Sequence, residues 1–258
     1  ESNSSSACGT GGKGMKRKKN GEGNLKSFQQ RLFSAVLVIL FLAAAVYVGR
    51  ETVVYTSGNR VKNGEEKKCV VLDAGHGGDD PGKIGINGAK EKDVNLQITE
   101  KVKKYLEAND IRVIMTRESG EGLYDADAPN KKVQDMKKRI QIIEENQPDV
   151  AVSIHQNSYP QESIHGAQVF YYNGSTSGQR LAEEIQRQFV EKVDTRNRRQ
   201  IKANDSYYLL KKTAVPIVIV ECGFLSNGAE AEKLCQEDYQ EYVAWAIHMG
   251  ILRYLSEN

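Results

Sequence analysis

The chain has 258 residues, 36 Lys or Arg against 34 Asp or Glu, and a formal net charge of +2, a length suited to one globular domain with appendages. The charge is uneven: residues 1–50 hold eight basic and two acidic residues, and the slightly acidic remainder argues against nucleic acid as a partner, which needs a concentrated basic surface. The four cysteines (Cys8, Cys69, Cys222, Cys235) are far apart without CxxC spacing, which argues against a zinc finger or a disulfide-dense scaffold.

Residues 1–14 are Ser/Gly-rich, and Met15 reads as a natural start; residues 1–31 are expected to form a disordered basic tail. Lys16, Arg17, Lys18, Lys19, Lys26 and Arg31 precede an uncharged apolar run over 32–49. A bilayer core needs roughly 17–25 such residues, so this run is expected to be a single transmembrane signal anchor. Its basic flank would stay in the cytoplasm, leaving the rest of the chain extracytoplasmic and the membrane a partner. The Ala43-Ala44-Ala45 cluster would also suit signal-peptidase cleavage, although the run exceeds a usual signal core of about 7 to 15 residues. Residues 50–68 are polar and charged, a linker.

From residue 69 to 256 strand and helix signals alternate. Cys69 to Leu72 is a buried-strand run, broken by Asp73-Ala74-Gly75 before His76-Gly77-Gly78. Val94, Ile98, Val102, Tyr105 and Leu106 share one helix face. Ile111–Met115 reads as a strand, 118–129 as a Gly/Asp-rich loop, and Val133, Met136, Ile140 and Ile143 as a second helix face. Strands are expected over 149–154, 167–172, 207–210 and 215–220, and helices over 177–192 and 239–255. The pattern predicts α/β: a single domain with a twisted, mostly parallel sheet of about six strands flanked by helices, preceded by the transmembrane helix.

Chemistry gathers at the strand ends. His76 follows the first strand, His155 the third, and Glu221 the last; Glu91 opens the first helix. In parallel sheets these positions share one rim, where ligands bind. Two histidines and a carboxylate leave zinc an open position for water, the catalytic pattern, and a non-ligand carboxylate can shuttle a proton. His76, Glu91 and His155 are therefore assigned as ligands of one Zn2+, and Glu221 as catalytic base and acid. Asp93 competes with Glu91 for the third ligand position. Gln156 and Asn157 continue the third strand onto the same rim. His165 and His248 read as a surface and a structural histidine. The basic stretch 196–202 reads as a solvated loop, with contact to an anionic wall polymer as the alternative. Tyr171, Tyr172, Tyr207 and Tyr208 read as core aromatics rather than sugar-stacking residues.

The segments Asp73-Ala-Gly-His-Gly-Gly78, Glu91-Lys92, Ser153-Ile-His-Gln-Asn157 and Glu221-Cys-Gly-Phe-Leu-Ser-Asn227 resemble the zinc-dependent N-acetylmuramoyl-L-alanine amidases over about residues 69–256. The resemblance implies the same ligands and base, and its spacing favours Glu91 over Asp93. It adds Asp80-Pro81-Gly82, Arg139 and Glu230 as family positions, with Arg139, Gln156 and Asn157 as candidate substrate contacts. Gln156 stands where the family usually carries Ala. Tyr207-Tyr-Leu-Leu-Lys211 and the short anchor are similar to sporulation amidases acting on cortex peptidoglycan during muramic-δ-lactam formation, some of which work with a regulatory protein. A general autolysin of the same chemistry, a zinc peptidase on stem peptides and a non-catalytic wall-binding module are the alternatives.

Overall fold

The computed structural model describes residues 67–257 and Phe33. Its elements run β1 (Cys69–Ala74), α1 (Glu91–Glu107), β2 (Arg112–Met115), α2 (Lys131–Asn146), β3 (Val150–Asn157), β4 (Gln168–Tyr172) and α3 (Thr176–Gln188), which widens into a π-helical turn over Phe189–Val193. Then follow β5 (Lys202–Asn204), α4 (Tyr208–Lys212), β6 (Ile217–Phe224), α5 (Gly228–Leu234) and α6 (Glu237–Ser256).

The central strands are apolar on both faces because helices cover both. Alternation along β1 sends Val70 and Leu72 toward α1, α3 and α6, and Val71 toward α2 and α4. The sheet order is β2-β1-β3-β6-β4-β5. The β1·β2, β1·β3, β3·β6 and β4·β5 pairings are parallel, whereas β4 runs antiparallel to β6. The sheet is therefore mixed. Its one reversal follows from the β3–β4 connection, which carries no helix; without a crossover the chain comes back in the opposite direction. The chain leaves β1 for β2 on one side and returns to β3 on the other, so a topological switch point lies between β1 and β3. Crevices for ligands open at such points, beyond the carboxyl ends of the strands.

Several expectations need correction. Residues 207–210 are not a strand: Tyr208–Lys212 form a short helix, with Leu209 and Leu210 buried against the sheet and Asn204 Oδ1 accepting from the amides of Ser206 and Tyr207 at the turn before it. The end of the basic stretch pairs with β4 as β5. Its arginines are engaged, Arg196 with Asp194 and Arg199 with the His165 carbonyl and over the Phe224 ring.

The transmembrane expectation is also corrected. No helix among the described residues is long and apolar enough to cross a membrane. The longest of these, α6, carries Glu237, Asp238, Glu241 and Arg253 and buries its apolar face in the domain. The tail over 1–31, the anchor over 32–49 and most of the linker over 50–68 lie outside the described residues, Phe33 aside. The membrane as partner and the membrane-anchored, extracytoplasmic location are withdrawn with the anchor.

Candidate active site

β1 delivers its loop beneath β3. A Cβ on Gly75 would stand 2.2 Å from the His155 ring, so only glycine lets that imidazole lie against the backbone. His76 follows with φ of 63°, a left-handed conformation that costs energy outside glycine and must be held by its surroundings. Two buried guanidinium groups hold it. Arg139 donates to the carbonyls of Ala74 (2.8 Å) and His76 (2.6 Å), and Arg117 to those of Ala74 (2.8 Å) and Gly75 (3.0 Å). Asp73 balances this charge: it accepts from Arg139 at 2.6 Å and from the Thr116 and Ser153 hydroxyls at 2.7 and 2.5 Å. Burial pushes the Asp73 carboxyl up, but Arg139 and the two hydroxyls outweigh it and hold it at about 2.

Glu91 opens α1 and is buried. Lys83 N–H donates to its Oε2 at 2.8 Å and Gln156 N–H to its Oε1 at 3.2 Å. His76 Nε2 lies 3.1 Å and His155 Nδ1 3.0 Å from that same Oε1. Burial would raise the Glu91 carboxyl, yet His155 and His76 hold it far below the ordinary range.

Asp80 decides how this cluster reads. His76 Nδ1–H donates to Asp80 Oδ2 at 2.9 Å, which leaves the Nε2 lone pair directed at a carboxylate oxygen. Two lone pairs face each other comfortably only when a proton or a cation lies between them. The three ligand atoms fall within 4.8 Å of one another, and two imidazoles with one carboxylate are the donor set of a catalytic zinc site. The residues present fit a metal ion.

Glu221 stands in direct register with His155 across the β3·β6 pair. It is buried, and its Oε2 has no hydrogen-bond partner. Burial lifts its pKa to about 7, with His155 pulling down and Glu91 pushing up. A buried carboxylate oxygen left unsatisfied is costly and points to a working group. A cavity of about 420 Å³ opens here, lined by His76, His155 and Glu221, by Tyr124 and Lys132, and by Tyr207.

Comparison with known proteins agrees with this geometry. Residues 70–253 match the family model described as Amidase_3, N-acetylmuramoyl-L-alanine amidase. The chain belongs to this family. With the clustered His/Glu/His donors, that makes it an enzyme of the N-acetylmuramoyl-L-alanine amidase class, acting on peptidoglycan. The amidase is 36% identical over 193 residues to the germination-specific N-acetylmuramoyl-L-alanine amidase of Bacillus subtilis, covering 74% of this chain and 81% of that one. The CwlD amidase of Clostridioides difficile, solved in complex with the GerS lipoprotein, superposes with a TM-score of 0.73 at 41% identity, over 74% of this chain and all of that one (100%). The catalytic domain of CwlV from Bacillus (Paenibacillus) polymyxa gives a TM-score of 0.65 at 30% identity, covering 74% and 99%.

Within the amidase, His76, Glu91, His155 and Glu221 come together, while Asp93 is exposed on α1 and outside the cluster. Arg139 borders the cavity, with its N–H groups given to Asp73, Asp135 and two carbonyls. Gln156 is buried with its Nε2 donating to Asn95 at 3.2 Å, and the Asn157 side chain accepts from Ser158 N–H at 2.8 Å. Neither of these two is among the residues that line the cavity. His165 is exposed, bonded to the Ser163 carbonyl. His248 is buried against Tyr105, and burial lowers its pKa to about 4. Glu230 accepts from the amides of Gly166 (3.0 Å) and Phe224 (2.8 Å), a brace for the end of β6. Sequence reasoning missed Arg117 and the place of Tyr207 at the cavity. Arg117 follows a strand as an ordinary polar residue would, and Tyr207 reads as a core aromatic.

Proposed function

We propose that the amidase hydrolyses the bond between the lactyl group of N-acetylmuramic acid and L-alanine with one zinc ion held by His76, Glu91 and His155. The observation that carries this is the convergence of two imidazole nitrogens on one Glu91 oxygen beside Glu221, whose buried Oε2 has no hydrogen-bond partner. When bound, the ion supplies Lewis-acid activation of water and positive charge for the developing oxyanion. Glu221 takes a proton from the attacking water and returns it to the departing alanine nitrogen; a carboxylate poised near neutrality suits both transfers. Asp80 holds the His76 proton on Nδ1, and Arg117 and Arg139 fix the loop that carries the ring. Glu221→Gln is expected to retain zinc and to lose turnover of muramoyl-peptide substrates. Near-full activity in that variant would overturn the proton-transfer role.

The biological setting we infer is maturation of spore cortex peptidoglycan by muramic-δ-lactam formation, assisted by a regulatory protein. The germination-specific relative in Bacillus subtilis and the lipoprotein-bound relative in Clostridioides difficile support this reading. Deleting the gene in its own host and analysing cortex muropeptides tests it: loss of the lactam is expected, and an unchanged lactam content would contradict it.

A further inference from the structure

We propose that Lys132 is a specificity-determining residue that binds a free carboxylate on the peptide side of the scissile amide. This rests on the amidase reading of the site. Three cations line the cavity beside the His/Glu/His cluster: Arg139, Lys131 and Lys132. Arg139 is committed to Asp73 and Asp135. Lys131 is committed to Asp79 at 2.6 Å and lies 5.2 Å from the centre of the Tyr124 ring. Lys132 is exposed, and none of the hydrogen bonds or ion pairs among the described residues involves it. Of the acids on the same lining, Asp80 is hydrogen-bonded to His76 Nδ1 and the Gly82 amide and lies in the field of Lys132 without a direct bond to it.

The position of Lys132 also works against its own helix. It lies in the first turn of α2, which holds two lysines and no acidic residue, whereas a helix N-terminus favours negative charge. Its ammonium is therefore disfavoured by its own helix end, a cost that an incoming carboxylate would offset. Of the two halves of the substrate, N-acetylated sugars are neutral, whereas a peptide carries carboxylates. Tyr207 and Tyr208 border the same cavity, and with Lys132 they give the peptide aromatic surface and a cation that makes no direct hydrogen bond or ion pair among the described residues. Complementary charge of this kind selects among substrates more than it adds raw affinity.

The test uses the full chain with zinc and two matched muramoyl-L-alanyl peptides, one with an acidic second residue bearing its free carboxylate, the other its carboxamide. We expect the wild type to favour the acid, and the acid-to-amide ratio of kcat/KM to fall about fivefold in Lys132→Gln, mainly through KM. Lys132→Glu is expected to invert the preference and Lys132→Arg to keep it. Calorimetric binding of the alanine-ended product peptide and its amide should follow the same order, with a difference that shrinks as salt rises. Turnover of both substrates with a ratio unmoved by Lys132→Gln and Lys132→Glu overturns this proposal alone. A wild type that cleaves neither overturns the amidase reading and this proposal with it.

Discussion

Asp80 is the residue on which the metal argument turns, because its bond to His76 Nδ1 leaves only the other ring nitrogen for a cation. Asp80→Ala is expected to weaken zinc binding by about 10- to 100-fold, the usual cost of losing a histidine's supporting carboxylate. Competition with a chromogenic chelator measures it, and an unchanged affinity would remove Asp80 from the site. Glu221 makes the complementary prediction: Glu221→Gln should bind zinc as the wild type does while kcat falls by about 10²- to 10⁴-fold. Metal content and single-turnover rates on the same preparation separate the two effects. Gly75 gives a steric counterpart, since any Cβ there collides with the His155 ring.

At the scale of the element, the loop after β1 depends on the Asp73–Arg139 pair beneath it. Both side chains are 2% exposed, and breaking a buried pair from one side typically costs about 3–5 kcal/mol. Arg139→Met is expected to lose stability of that order, read by urea unfolding with the m-value checked for change. The pair also sets an acid limb. Asp73 has its pKa lowered on folding to about 2, so its contribution is complete above the ordinary carboxyl range near 4 and is lost as pH falls through about 2. That loss amounts to about 2 kcal/mol, and Asp73→Asn should flatten it while lowering stability at neutral pH. The sequence showed the strand ends and the histidines on them, because apolar β-branched runs closed by glycine are local signals. It hid the role of Arg139: Asp135 pairs with it at i,i+4 within its own helix, but Asp73 and the Ala74 carbonyl come from β1, far away in the chain. Residues 207–212 were illegible for a related reason. Tyr-Tyr-Leu-Leu suits a strand, and only packing of Leu209 and Leu210 on the sheet makes it a helical turn.

On the scale of the whole molecule, the site is assembled at a topological switch point, with His76 beyond β1, His155 on β3 and Glu221 on the neighbouring β6. Parallel pairing of these three strands is what turned separate strand-end residues into one legible constellation. The reversal at β4 was not legible, since it depends on a connection without a crossover. Zinc binding only to the folded arrangement should raise the unfolding temperature with metal concentration, by linkage, and scanning calorimetry with and without chelator checks it. The most direct test of the account is mass spectrometry of purified peptidoglycan after treatment with the full chain, with zinc and with chelator. Glycan stripped of stem peptides, together with peptides bearing free alanine amino termini, is expected with zinc and absent with chelator. Cleavage inside the stem peptide with the muramoyl–alanine bond intact would contradict it.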